Sequence, residues 1–388
     1  MTSPRFPALP LPSDEQLAHS ARLTRTLRDD ILAQSGWVSF ARYMELALYA
    51  PGQGYYSAGS RKFGAGGDFV TAPEISPLFA RTLARQAAQV LHATNGDIME
   101  LGAGTGRLAA QILLELQRMD RLPTRYRILE VSAHLREVQG ETLQALLPAE
   151  LLRRIEWLDA LPAELSGFVF GNEVLDALPV HLLAWRSDGV QGRGVAWNGS
   201  GFVWAERPLP DGMLLDAVTA LDLPVGTVSE FCPAASALIS SLAAVLRQGV
   251  LLFVDYGFPR REYYHPQRFT GTLMCHYRQH AHDDPFLYPG LQDITAHVDF
   301  SSVAEAGMAR GLEVLGYAGQ AQFLINCGIT DLLAEVSPAD MAAYLPLAGQ
   351  AQKLLSPAEM GELFKVLALG RGMMPLLGYA QGDKSHTL

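Results

Sequence analysis

The sequence predicts an α/β fold, a Rossmann-like and mostly parallel sheet covered by helices on both faces. Three observations carry this. Short apolar runs of strand length alternate with segments of helical period from about residue 97 to residue 369. The run at 98–101 ends in alternate glycines and passes directly into helical periodicity at 108–116, which puts the glycines in a strand-to-helix turn. Acidic and polar residues then fall at the ends of successive strands, where open sheets of this kind bind their ligands.

The elements follow in order. Ser13 reads as an N-cap, with Asp14 and Glu15 in the first turn, Leu17, Leu23, Leu27 and Ile31 on one face, and Gly36 as the stop. A second helix covers 39–48. Residues 49–74 interleave glycines with aromatic and charged residues, which suits either a plain surface connection or a lid, with Gly66, Asp68, Phe69 and Thr71 as its contacts. A helix over 76–93 feeds the first strand. Beyond it come a strand at 126–131, a helix at 135–147, and strands at 154–158 and 168–170. A pair of β-hairpins occupies 181–207. Next are a helix at 234–247, strands at 249–254 and 312–317, helices over 320–335 and 338–355, and a last strand at 364–369. This gives N-terminal helices and lid at 1–95, a main domain at 96–372 with insertions at 181–207, 258–300 and 320–360, and a flexible tail at 373–388.

Composition narrows the class. With 49% apolar and 18% charged residues over 388 positions, the chain buries a sizeable core and is not disordered. A net charge of −10, with only four lysines, argues against a nucleic-acid groove. Cys232, Cys275 and Cys327 are far apart, so neither a disulfide framework nor a zinc knuckle is expected. The proline-rich start has no charged leader and no apolar run reaches membrane-spanning length, so a soluble, cytoplasmic protein without a membrane partner is expected. A homodimer is compatible with all of this.

Glycine spacing selects the cofactor. A dinucleotide turn has the form G-x-G-x-x-G, but here the third glycine comes one residue early, at Gly106, and Arg107 stands where it should be. Glu100-Leu101-Gly102-Ala103-Gly104-Thr105-Gly106 resembles motif I of class I S-adenosylmethionine methyltransferases. Glu130, 24 residues past Gly106, ends the next strand where such folds place an acid for the ribose hydroxyls. Asp159 ends the third strand within reach of an adenine amino group, Asn172 and Glu173 the fourth, Asp255 and Tyr256 the fifth. The resemblance implies S-adenosylmethionine as cofactor, held by Glu100, Gly102, Ala103, Gly104, Gly106, Glu130, Asp159 and Asn172. A bound NAD is not expected.

Further blocks extend the match. Gly66-Gly67-Asp68-Phe69-Val70-Thr71-Ala72-Pro73-Glu74, Gly171-Asn172-Glu173 with Asp176-Ala177-Leu178-Pro179, Asp255-Tyr256-Gly257, and Gly290-Leu291-Gln292-Asp293-Ile294-Thr295 together resemble the MidA family, over about residues 36–369. These are S-adenosylmethionine-dependent methyltransferases related to the mitochondrial complex I assembly factor that dimethylates arginine in a partner subunit. The resemblance implies arginine methylation on a protein partner. A small-molecule acceptor and a non-enzymatic assembly role are the alternatives.

Arginine is a demanding nucleophile because its guanidinium is charged and delocalised. Carboxylates suit it, since they bind the cation bidentately and take the departing proton. Glu173 and Asp176 are the candidate pair, with Asp176 alternatively a helix N-terminal acid, and Asp255 with Tyr256 the alternative base. Residues 258–300 form a substrate-facing insertion in which Gln292 and Asp293 are candidate peptide contacts. Five histidines cluster there, including His276 and His280 at helical spacing, yet no accompanying ligand set makes a metal site, and none is expected.

Overall fold

An eight-stranded sheet is the largest element of the computed structural model, which describes residues 9–58, 71–373 and 375–388. Its main strands are β1 (Asp97–Leu101), β2 (Tyr126–Leu129), β3 (Ile155–Leu158), β4 (Leu165–Asn172), β5 (Leu246–Phe258), β6 (Glu313–Gly319) and β7 (Phe364–Arg371). The order across the sheet is β6-β7-β5-β4-β1-β2-β3, with the short strand Val298–Asp299 parallel to the end of β5. From β3 to β5 all neighbours are parallel, as the alternation of strands and helices implies. The chain winds outward from β1 through β2 and β3, then crosses back to β4 on the other side. The topological switch point therefore lies between β1 and β4, directly above the glycine turn.

β7 slots antiparallel between β5 and β6. Its residues are buried from Phe364 through Gly370, so apart from Lys365 it reads as an apolar run, and such a run carries no record of direction. Helices Pro77–Thr94 and Arg107–Arg118 lay Leu83, Ala87, Ile112 and Leu113 into a core shared with Ile98, Phe168, Val250 and Val366 of the strands. Two helices start on hydroxyl caps: Ser76 accepts from the Leu78 amide of Pro77–Thr94, and Ser132 from the Leu135 amide of helix Ala133–Leu146.

Two expectations need correction here. The helix expected over 320–335 breaks at Gly328, whose φ is +82°, into Gln320–Asn326 and Ile329–Ala334. The tail is not frayed: the Lys384 amide donates to the Tyr317 carbonyl at 2.7 Å and the Tyr317 amide to Asp383 at 2.9 Å. Asn326 donates to the carbonyls of Gly378 and Gln381, and the Tyr379 ring packs on Phe323. Aromatic packing and backbone pairing thus anchor a segment whose composition is polar.

The chain divides into two units. The one just described comprises residues 71–175 with Ser236–Arg260 and Val298–Leu388, and the other comprises the described residues before position 70 with Asp176–Ala235 and Arg261–His297. The second unit opens with helix Asp14–Ala33, whose Ser13 and Gln16 form a reciprocal capping box, and whose Leu23, Leu27 and Ile31 are buried. The pair of hairpins expected at 181–207 is present as His181–Arg186, Gly189–Trp197 and Phe202–Pro208, antiparallel in a five-stranded sheet with Trp37–Ser39 and Val228–Phe231. Segments that read as insertions in the chain therefore share a core with the N-terminal helices, around Phe40, Tyr43, Leu182 and Ile294.

His276 and His280 are not on a helix. They lie on the paired strands Met274–Tyr277 and His280–His282, joined by Arg278 and Gln279 at φ +47° and +63°. Two successive left-handed residues make the tight turn that hairpins favour, here without glycine.

Candidate active site

β1 is buried from Ile98 to Leu101, and its polar member, Glu100, is 2% exposed. The Tyr126 hydroxyl donates to the Glu100 carboxylate at 2.7 Å. Burial pushes that carboxyl up to about 8, Tyr126 opposes the rise, and the nearby charge of Glu130 adds to it. Past Leu101 the chain turns through Gly102, Gly104 and Gly106 at φ +61°, +52° and +82°, a run of left-handed residues open only to glycine at little cost. Gly106 caps helix Arg107–Arg118, and a Cβ there would stand 3.2 Å from the Gln139 backbone. Arg107, which excludes the dinucleotide motif, pairs with Glu74 at 3.4 Å, and Thr105 donates to the same carboxylate at 2.7 Å. Glu74 thus ties the short helix Ala72–Ile75 to the glycine turn.

Glu130 follows β2 and is 5% exposed. Burial raises its carboxyl above the ordinary range, against hydrogen bonds from the Ser132 amide (2.9 Å) and the Gln139 side chain (3.1 Å). Val131 beside it is 82% exposed, an apolar side chain left in solvent at a strand end. Asp159 sits past β3 as expected, but it is exposed and ion-paired with Arg136 at 2.7 Å.

β4 ends beside the glycine turn, since Gly171 pairs with Leu101 in register. Asn172 donates from Nδ2 to the Glu173 carboxylate at 2.9 Å, which fixes the amide's orientation and leaves a buried Oδ1 with no partner among the described residues. Glu173 has φ +53°, a left-handed backbone that a non-glycine residue adopts only under constraint. Asp255 supplies it. Its Oδ2 accepts from the amides of Val174 (3.1 Å) and Leu175 (2.8 Å), its Oδ1 from the Tyr256 amide (2.9 Å), and it is 1% exposed. These bonds engage both oxygens of Asp255, so the sequence reading of it as a base gives way to one in which it holds the turn that presents Glu173. The Tyr256 ring packs on Phe364 at 3.9 Å between centroids.

In the other unit, Asp176 is buried in a turn and its carbonyl accepts from the Ala296 amide. No helix starts there, which removes the helix-terminus reading. Gln292 and Asp293 are buried too, at 2% and 3% exposure. Gln292 donates to the Asp284 carbonyl. Asp293 accepts from the Tyr56 hydroxyl at 3.0 Å on each oxygen, and the Tyr56 ring stacks on Tyr49. Both are therefore built into the interior, where the sequence reading had them facing a peptide. Gly66, Asp68 and Phe69 of the expected lid lie outside the described residues. Thr71 lies at their edge, half-buried, as N-cap of helix Ala72–Ile75.

The strand ends of β1, β2 and β4 suit S-adenosylmethionine. The turn has no Cβ where a ligand would lie, Glu130 can accept from ribose hydroxyls, and the unpartnered Asn172 Oδ1 waits for a donor such as an ammonium group. Comparison with known proteins agrees. Residues 82–318 match the family described as "Putative S-adenosyl-L-methionine-dependent methyltransferase". A crystal structure from Burkholderia thailandensis bound to S-adenosyl-homocysteine is 52% identical, with a TM-score of 0.95 over 98% of this chain and 100% of that one. The native structure of an uncharacterised protein from the same organism is 51% identical, with a TM-score of 0.93 and the same coverage. Among curated proteins, the mitochondrial protein arginine methyltransferase NDUFAF7 of Mus musculus is 29% identical over 92% of this chain and 87% of its own length. Its counterpart in Drosophila melanogaster is 28% identical over 92% and 88%, and it too is named mitochondrial. The cytoplasmic placement expected from the sequence is contradicted by those names and is withdrawn: a proline-rich start holds no compartment information.

Proposed function

The chain belongs to this family of S-adenosyl-L-methionine-dependent methyltransferases, and from that premise we propose that it methylates an arginine side chain of a protein partner. The observation that carries the acceptor is Glu173, a carboxylate held in a strained backbone at the switch-point end of β4, where the next two amides, of Val174 and Leu175, donate to Asp255. The arginine methyltransferases among the curated relatives support the same reading.

S-adenosylmethionine supplies an electrophilic methyl group on a sulfonium. The chain's own residues bind and orient. The turn at 102–106 admits close backbone approach, Glu130 accepts from the ribose hydroxyls, and Asn172 Oδ1 accepts from the ammonium. Val131 covers an adenine face, and Asp159 reaches its amino group from beside Arg136. Glu100 and Ala103 line the base of the same turn. Glu173 accepts two guanidinium N–H groups, one of them on the attacking nitrogen; as that nitrogen bonds the methyl carbon the S–C bond breaks, S-adenosylhomocysteine leaves, and Glu173 takes the displaced proton. Asp176 is the proposed second carboxylate, Tyr256 an aromatic wall, and Asp255 the support of Glu173. The segment carrying Gly66, Asp68, Phe69 and Thr71 is proposed as a lid. Gln292 and Asp293 are proposed as peptide contacts of their own unit, Asp293 together with Tyr56.

The partner is proposed to be a protein, with the chain acting as a monomer or a homodimer. The reading calls on no nucleic-acid or membrane partner; the net charge is −10, and no described helix is long and apolar enough to cross a bilayer. The test is transfer of a tritiated methyl group from S-adenosylmethionine into extract from cells lacking this chain. Label in the protein fraction, on arginine after hydrolysis, supports the reading. Label confined to small molecules or lipids refutes it.

A further inference from the structure

We propose that Gln139 is the positioning residue that locks the glycine turn to Glu130 and so sets the cofactor-binding geometry across three strand ends. This rests on the cofactor reading of the site. Gln139 lies in the middle of helix Ala133–Leu146 and is fully buried, an unusual place for an amide unless each of its atoms is partnered. Its Nε2 donates to the Gly104 carbonyl at 3.2 Å and to the Glu130 carboxylate at 3.1 Å, and its Oε1 accepts from the Trp157 indole at 2.9 Å.

The orientation of this amide follows from its partners. An indole N–H only donates, so the atom facing it must be the oxygen. A carbonyl and a carboxylate only accept, so the atom facing them must be the nitrogen, which has two hydrogens to give. The reverse orientation would set an oxygen against two acceptors and a nitrogen against a donor. Trp157 on β3 therefore acts as a key that forces the amide to point its two hydrogens at β1's turn and β2's acid. Gly106 completes the arrangement, since a Cβ there would stand 3.2 Å from the Gln139 backbone and press the helix away from the turn.

Two consequences follow for binding. The Gly104 carbonyl and the Glu130 carboxylate are held together by one amide nitrogen, which ties the glycine turn to the acid of the next strand end. The bond to Glu130 also favours its ionised form, the form with most capacity to accept ribose hydroxyls. The groups facing Glu130 are Gln139, the Ser132 and Val131 amides, the Arg136 guanidinium and the buried Glu100 carboxyl. Only the first changes in the variants below, so the difference between variant and wild type isolates it.

The experiment is calorimetry of the whole protein with S-adenosylhomocysteine from pH 5.5 to 8.5, with thermal melting of the ligand-free protein as the folding control. Gln139→Leu should weaken binding by about tenfold or more at neutral pH, in keeping with loss of a hydrogen bond to a charged group. It should also move the acidic loss of binding to higher pH, because Glu130 without this donor holds its proton more tightly. Gln139→Glu, which keeps the size but faces two acceptors with a third, should bind at least as weakly near neutrality. Trp157→Phe should show the same pH displacement at smaller amplitude, and it decides the matter if Gln139→Leu does not fold. Wild-type affinity, or weakened affinity with an undisplaced pH profile, overturns the proposal and leaves Gln139 a packing residue. Failure of the wild-type protein to bind would instead overturn the cofactor reading on which the proposal stands.

Discussion

Glu173 offers two substitutions whose effects separate charge from backbone strain. Glu173→Gln keeps size, shape and the left-handed φ of +53° while removing the charge. A charge-assisted contact is worth about 1.5–3 kcal/mol, so turnover at saturating S-adenosylmethionine should fall roughly tenfold to a hundredfold. Glu173→Gly removes the side chain and relieves a backbone that costs a non-glycine residue about 1–2 kcal/mol, offset by about 0.5–1 kcal/mol of added chain entropy in the unfolded state. Its stability should therefore match or slightly exceed that of the wild type while its turnover is lost. Transfer of tritiated methyl groups into extract from cells lacking the chain reads turnover, calorimetry with S-adenosylhomocysteine reads cofactor affinity, and thermal melting reads stability. Glu173→Gln, which keeps an oxygen for the Asn172 amide, should bind the cofactor product normally. Unchanged turnover in Glu173→Gln would refute the assignment, and weakened cofactor binding with preserved turnover would make Glu173 a cofactor ligand instead.

Three other perturbations test the rest of the site. Asp255→Asn keeps one acceptor oxygen but points an amide N–H₂ at a backbone donor, so it should lose about 2–3 kcal/mol of stability by chemical denaturation and release the Glu173 turn, lowering turnover; full stability would show that the amide bonds to Asp255 do not hold the turn. Gly104→Val places a branched side chain at φ +52°, and calorimetry should show S-adenosylhomocysteine binding abolished while the far-ultraviolet circular dichroism is retained. The buried Glu100 holds its proton up to about 8, against about 4.5 for an ordinary carboxyl. Its contribution is thus fully present below about 4.5 and is lost as pH rises through about 8. Glu100→Gln cannot ionise, so the melting temperature of the variant relative to wild type should climb between pH 5 and pH 8; a constant difference would refute a buried neutral Glu100.

What could be read in the sequence was local. Ser13 caps the helix expected to follow it, because a cap needs only a hydroxyl and the next three residues, and the helices expected from 39 and 76 begin there too. The glycine turn and Glu130 were legible for the same reason, each fixed by its own strand end. What failed to show was contributed from elsewhere in the chain. Gln139 looks like an ordinary polar helix residue until Gly104, Glu130 and Trp157 converge on it. Asp255 looks like a catalytic acid until the amides of Val174 and Leu175, some eighty positions away, close on its carboxylate. The antiparallel insertion of β7 and the docking of the tail through Tyr317 likewise depend on long-range pairing that no window of sequence contains. His276 and His280 misled for the opposite reason: their spacing of four fits a helix and equally a tight hairpin, and Arg278 and Gln279 adopt left-handed conformations without the glycine that would have signalled the turn.

The acceptor is the central claim, and it is most directly tested by mass spectrometry of protein arginine methylation in cells lacking this chain against their parent. The account predicts at least one protein whose methylated arginine is absent from the deletion strain, returns with the wild-type chain, and does not return with Glu173→Gln. An arginine methylation profile identical in all of these cells would contradict it.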